Sequence, residues 1–401
     1  MRLLHTSDWH LGRTLHGVDL LEHQAAYLDH LVEVAREEGV DAVLVAGDVY
    51  DRAVPPVEAV TLLSETLARL SERCAVVLTP GNHDSAARLG FGAGLMRDGV
   101  HLRTRVADVG APVELRPRDR SGRSDGAPVL VYGLPYLDPD GCRHALASGD
   151  VPLARSHESV TRAAMDRVRA DLATRTAGGA GGGVRPRAVV LAHAFVLGGQ
   201  ASESERDIRV GGVDHVPADV FAGVDYVALG HLHGPQRVSG PPGVVLRYSG
   251  SPLAYSFSEQ HHAKSTVLLE LDRDGVRGDV RLVPAPVPRR LSDVTGTMAD
   301  LLGAAGDPFT GDWVRVVVTD AARPAELFAR VRRRFPHALV VQHRPPAVGA
   351  RSSSVAVTAA HDPVQVAAEF VEHVTGGRPS DAEAAVLRAA FEHVAGLERS
   401  A

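Results

Sequence analysis

The chain has 401 residues, enough for one large core and one or two smaller units. With 44% hydrophobic and 23% charged residues it reads as globular, and no apolar run reaches the roughly 20 residues that span a bilayer. A net charge of −6 argues against non-specific coating of nucleic acid, leaving a local basic surface or bound cations as routes to an anionic ligand.

The N-terminal MRLLHTSDWH runs directly into a strand with no signal peptide, so the cytoplasm is the expected compartment. Apolar runs at Leu3–Thr6, Ala42–Ala46, Ala75–Thr79, Val129–Tyr132, Ala188–Ala192 and Asp225–Leu229 predict strands covered on both faces. Helices are predicted over Leu20–Glu38, Val57–Glu72 and Ser156–Thr176; in the second, Val60, Leu63, Leu67 and Leu70 recur at helical spacing. Val244–Tyr248, Thr266–Leu271 and Val276–Val283 form a more β-rich section with short loops. The whole predicts an α/β layered sandwich. Arg116–Pro128 and the glycine tract Gly178–Gly183 read as surface loops, and Pro284–Pro288 as a stiff linker. Beyond it come a strand at Trp313–Thr319, a helix at Pro324–Phe335 and a strand at Ala338–His343. After the loop Pro345–Ser354, helical patterns cover Pro363–Val374 and Asp381–Val394, broken at Gly376-Gly377. The division expected is 1–283, 289–345 and 360–397.

Cys74 and Cys142 lie far apart and in no CxxC pair, so they read as reduced thiols rather than a disulfide or a zinc site. Of the 43 basic residues all but Lys264 are arginine. Beside abundant Ala, Val and Gly this points to GC-rich coding, so arginine abundance alone says little about phosphate binding.

Five predicted strands end alike, an apolar run giving way to Asp, Asn or His. They are LLHTSDWH (Asp8, His10), VLVAGDVYD (Asp48), VVLTPGNHD (Asn82, His83, Asp84), VVLAHA (His193) and YVALGHLH (His231, His233). Taken singly, an Asp after a strand is commonly a cap and a His a satisfied interior side chain. Five together form a constellation, because the carboxyl ends of strands in open α/β sheets converge on one crevice. The D-x-H spacing puts Asp8 and His10 on one side of an extended end, as it does His231 and His233. Gly47, Gly81 and Gly230 are expected to allow tight turns and close approach of backbone to a bound anion. His16, His23, His30, His101, His144 and His157 read as surface or packing residues.

In order and wording these blocks resemble the calcineurin-like metallophosphoesterase superfamily. The likeness is closest to its bacterial DNA nuclease branch, through HTSDWHLGR, AGDVYD, GNHDS, GGQASESER (Gly198–Arg206), DYVALGHLHGPQ and YSGSPLAYSFSE (Tyr248–Glu259). The resemblance implies an α-β-β-α sandwich with a small α+β capping domain and C-terminal helices. It implies two divalent metals, manganese first, with Asp48 bridging them. Asp8, His10 and His233 would complete one metal, and Asn82, His193 and His231 the other. Two carboxylates against two divalent ions leave the site positive and attractive to a phosphodiester, and O/N ligands without cysteine suit manganese, iron or zinc. His83 would stabilise the transition state and protonate the leaving 3′-oxygen, with Asp84 orienting its ring.

The implied activity is double-strand 3′–5′ exonuclease and single-strand endonuclease cleavage of DNA with hairpin opening. It would act in repair as a homodimer within a heterotetramer with an SMC-like ATPase. The five blocks alone are compatible with another phosphodiester or a phosphoprotein substrate, and a non-catalytic scaffold is the third reading, although no ligand position is missing. The run containing Arg332, Arg333 and Arg334 is either a solvated helix face or a DNA-backbone contact. The two C-terminal helices either dock on their own domain or grip the ATPase coiled coil.

Overall fold

The computed structural model describes residues 1–96, 99–116, 128–178, 185–208, 215–346 and 362–398. The expected loops Arg116–Pro128, Gly178–Gly183 and Pro345–Ser354 lie, save for their ends, outside the described residues.

The apolar runs become two stacked sheets. In the first, Arg2–Thr6, Ala42–Ala46, Ala75–Thr79 and Val100–Leu102 lie parallel in that order, and Ser265–Asp272 adds antiparallel to Arg2–Thr6. In the second, Val129–Gly133, Arg187–His193, Tyr226–Gly230 and Val245–Tyr248 run parallel, with Val113–Leu115 and Gln236–Val238 as antiparallel edges.

Alternation along each strand assigns its residues to layers. Leu3, Leu44, Val77, Val131, Val189, Leu191 and Ala228 meet between the sheets. Leu4, Val43, Val45 and Val76 face outward beneath the helices Leu21–Glu37 and Val57–Ser71. On the opposite side Leu130, Val190 and Val227 lie under His157–Gly178. The outcome is the expected α-β-β-α sandwich, with continuous apolar runs because both faces of each strand are covered.

The structure corrects several expectations. Val60 is 43% exposed, while Ala59, Leu63, Leu67 and Leu70 form the buried stripe of its helix. The strand expected over Val276–Val283 is two, Gly275–Val276 and Arg281–Pro284, interrupted at Gly278 with φ +63°. The helix expected from Pro324 starts only at Leu327, because Glu326 takes a left-handed φ of +54°.

Beyond Pro288 a parallel three-stranded sheet forms from Leu291–Gly296, Trp313–Val318 and Ala338–His343. Its first strand, LSDVTG, has no continuous apolar run and was not expected. Val314, Val316, Leu327, Val331 and Phe335 make a separate core. Leu291 and Trp313 also pack with Leu20, Leu253, Tyr255 and Phe257, seating this sheet against the sandwich. The final helices, Pro363–Thr375 and Asp381–Glu398, pair with each other, leaving Phe370, Val374, Val386 and Phe391 exposed. Among the described residues no helix is long and apolar enough to cross a membrane.

Candidate metal centre

The strand ends of both sheets meet at one edge of the sandwich. Past Thr6 and Ala46 the two chains stay side by side, Asp8 N–H donating to the Gly47 carbonyl (3.0 Å) and His10 N–H to that of Asp48 (2.9 Å). Asp8, His10 and Asp48 have φ of +54°, +47° and +48°, and His231 has +104°. For residues with side chains such backbone costs about 1–3 kcal/mol each and persists only where its surroundings enforce it. Four of the six non-glycine residues with positive φ among the described residues turn into the site, His16 and Glu326 being the other two.

Gly47, at φ +84°, makes the tight turn expected of it. A Cβ on Gly47 would strike the His193 ring, one on Gly81 the Asp48 carboxylate, and one on Gly230 the Ala46 carbonyl. All three also let the site's own side chains and the neighbouring strand end pack close.

Asp8, His10, Asp48, His193, His231 and His233 are buried, and Asn82 and His83 half-buried. Three groups have donor atoms within 4.8 Å of one another: Asp8, His10 and His233; His10, Asp48 and His83; Asp8, Asp48 and His193. Asp48 Oδ2 stands at the centre, 3.4 Å from His193 Nε2, 3.6 Å from His10 Nε2 and 4.0 Å from His83 Nε2. His231 belongs to none of these triads; its ring lies against that of His193, centroids 5.3 Å apart, and its N–H donates to Asp8 Oδ1 at 3.0 Å.

Without cations this arrangement is poorly satisfied, a direct test of whether the residues suit metals. The Nε2 atoms of His10 and His233 face each other at 3.1 Å. His193 has Nδ1 on the Ala46 carbonyl (3.0 Å) and Nε2 on Asn82 Oδ1 (2.8 Å), two acceptors that a neutral ring cannot both satisfy and that call for a second proton or a cation beside it. His10 Nδ1, Asn82 Nδ2 and His83 Nε2 are buried with no partner. A positive ion among the Nε2 atoms of His10, His233 and His193 and the Asp48 carboxylate would give their lone pairs a common partner, and nitrogen and oxygen donors without thiolate suit manganese, iron or zinc.

Protonation follows the same logic. Burial pushes the Asp8 carboxyl up to about 6 against the pull of His193 and His233. Burial would also raise Asp48, but His193, His10 and His83 together hold it well below the usual carboxylate range. Burial lowers His193 too, yet Asp48 and Asp8 outweigh it and carry the imidazole up to about 9, as a proton standing in for a metal would require.

His83 is fixed by two contacts: Nδ1 to the Asp51 carbonyl at 2.7 Å, and its N–H to Asp48 Oδ1 at 2.9 Å. Asp84, expected to orient this ring, instead accepts N–H groups from Val49 (3.0 Å), Tyr50 (2.9 Å) and Gly81 (2.9 Å). Those bonds tie the GNHD turn to the loop carrying Asp48, and the task given to Asp84 falls to a backbone carbonyl. Arg332 and Arg333 are exposed on Leu327–Arg334, but Arg334 is paired with Asp307 and turned away from any free role.

The sequence reading missed the supports behind the site. Ser204, Glu205 and Glu259 hold His233, while Gln24 donates to the carbonyls of Trp9 (3.2 Å) and His10 (2.8 Å). Ser204, Glu205 and Glu259 lie in the blocks Gly198–Arg206 and Tyr248–Glu259, whose shared wording was the available signal.

The sequence profile of the calcineurin-like phosphoesterase family matches residues 1–235. Among solved structures the chain is similar to a dimetal phosphatase from Danio rerio, at 14% identity over 71% of this chain and 99% of that one, TM-score 0.42. It is also similar to TT1561 of Thermus thermophilus (14% identity, 71% and 99% covered, TM-score 0.39). A third is the calcineurin-like phosphoesterase YfkN of Bacillus subtilis (13% identity, 71% and 90% covered, TM-score 0.38).

Proposed function

The chain belongs to the calcineurin-like phosphoesterase family, and from that premise we propose that it is a DNA nuclease of the SbcD type, working with an SbcC-type SMC-like ATPase. The observation that carries the hydrolytic part is the convergence of Asp8, His10, Asp48, Asn82, His193 and His233, with their donor atoms turned toward one another, at the joint edge of two sheets. Asp8, His10, Asp48 and His233 would hold one ion, and Asp48, Asn82 and His193 the other, with His231 beside His193.

When bound, two such ions clamp a phosphodiester and lower the pKa of a water for in-line attack. The chain's own residues do the rest. The strained loops hold the donors in place before any ligand arrives. His83, anchored through Nδ1, presents a buried and unpartnered Nε2 at the site, the atom from which a proton can pass to a leaving oxygen. The Asp51 carbonyl fixes which nitrogen does this.

The DNA assignment rests on the shared wording outside the ligands and is supported by the exposed Arg332 and Arg333. The apolar residues left bare on the paired C-terminal helices support a helix-in-groove contact with the ATPase. Phe91 and Leu95, both 85% exposed, support a surface for a second copy of the chain. The deciding experiment is cleavage of a single-stranded oligonucleotide with and without manganese, alongside a nitrophenyl phosphodiester. Manganese-dependent cutting of both supports the reading. Turnover of the small ester with no cutting of DNA would redirect it to another phosphodiester, and inactivity on both would leave a scaffold.

A further inference from the structure

The chain's sole lysine is buried. Lys264 is 5% exposed and lies against Glu259, which is 1% exposed. The ammonium spends its three donors on Glu259 Oε2, on Ser251 Oγ (2.8 Å) and on the His233 carbonyl (2.9 Å). Glu259 Oε1 accepts the Ser204 hydroxyl at 2.5 Å, and Ser204 Oγ accepts from His233 Nδ1 at 2.8 Å. The bonds therefore close a ring, from the His233 imidazole through Ser204, Glu259 and Lys264 back to the His233 main chain. Glu205 Oε1 accepts the main-chain N–H of His233 at 2.9 Å.

Stability is a poor reason for such a pair, since burying two charges gains little over apolar side chains of equal volume. Position is a better one. With Nδ1 committed as a donor, His233 has a single lone pair left, on Nε2, and that atom faces His10 across 3.1 Å. Everywhere else this chain uses arginine for a cation. A planar guanidinium cannot send three donors in tetrahedral directions from one atom, and here three acceptors surround one point.

We propose that Glu259 and Lys264 are positioning residues that hold His233 in the tautomer and orientation a metal ion requires. This rests on reading Asp8, His10 and His233 as a metal site. Outer partners of ligating histidines commonly govern metal affinity by 10–100-fold.

The test is a calorimetric manganese titration of the full-length protein, with melting curves recorded in chelator. The double variant Glu259→Gln with Lys264→Met removes both charges together, and Glu259→Gln alone takes the charged acceptor from Ser204 and from His233 Nδ1, which it also meets directly at 3.3 Å, while leaving an amide oxygen for Lys264. Each is expected to melt near the unsubstituted protein in chelator, yet to bind one of two manganese ions about 10–100-fold more weakly, the other ion being unaffected. Two ions bound with undiminished affinity by both variants would overturn the proposal and leave the pair a structural feature. Should the double variant fail to fold, Glu259→Gln decides alone by the same criterion. If the unsubstituted protein binds no manganese, the metal-site reading itself fails, and this proposal with it.

Discussion

Replacing Gly47 by alanine isolates the contact that most tightly constrains the site. Gly47 has φ +84°, and its missing Cβ points at Nδ1, Cγ and Cβ of His193. Because the His193 Cβ is among the atoms struck, turning the ring does not relieve the overlap. The ring is also tied to the Ala46 carbonyl. Left-handed strain costs about 1–2 kcal/mol and overpacking about 1–3 kcal/mol, so roughly 2–5 kcal/mol in all. For a domain of this size, with an unfolding entropy of about 0.6 kcal/mol/K, that is a fall in Tm of roughly 3–8 °C. Gly17→Ala is the control: φ is +88° and nothing lies within 4 Å of the added carbon, so only the strain term applies. The difference between the variants reports the clash with His193, and the same displacement should weaken manganese binding in Gly47→Ala alone. Melting curves in chelator and a manganese titration measure both. A Gly47→Ala protein that melts no lower than Gly17→Ala and binds metal normally would refute the argument.

His83→Gln should keep two bound manganese ions but lose DNA cleavage, whereas Asp48→Ala should lose metal; atomic absorption and an oligonucleotide assay distinguish them, and full cleavage by the His83 variant would end its assigned role. Saturating manganese at about 100 times its Kd should stabilise the protein by about 2.7 kcal/mol for each site filled, seen as a rise in Tm that chelator reverses. Arg332→Ala with Arg333→Ala should weaken duplex binding and flatten its salt dependence while sparing nitrophenyl ester hydrolysis; Arg334 is left intact because it serves Asp307. A chain ending at residue 354 should retain manganese-dependent cutting of single strands and lose co-purification with the ATPase, and retained binding would place that contact elsewhere.

The sandwich strands were legible because each is a short apolar run buried on both faces, and Ala42–Ala46 and Ala75–Thr79 match residue for residue. The donors were legible because chemistry begins where those runs stop. Harder to read was anything set by a neighbour distant in sequence. Leu291–Gly296 is a strand because Trp313–Val318 pairs with it, and its own residues alternate too weakly to announce that. Asp84 follows His83 in the chain, yet its carboxylate points back to the turn, so the orienting role that the resemblance implied is not the one its contacts give it. Glu259 and Lys264 show no spacing relative to His233 that a linear reading could use, since a turn and a strand start bring them under it.

The donors divide cleanly between the two sheets: Asp8, His10, Asp48 and Asn82 from the first, His193, His231 and His233 from the second. His10 and His233 are separated by 223 positions. During synthesis the first group leaves the ribosome long before the second exists, so a nascent chain can show a metal only half its ligands. A half-site of four donors on mobile chain binds weakly and without selectivity, whereas the full set appears only when the sheets have stacked. Capture of a metal by the full set would thereby come at the end of folding. An ion bound across that seam then acts as a clasp between segments remote in the chain, resisting their separation much as a long-range crosslink would.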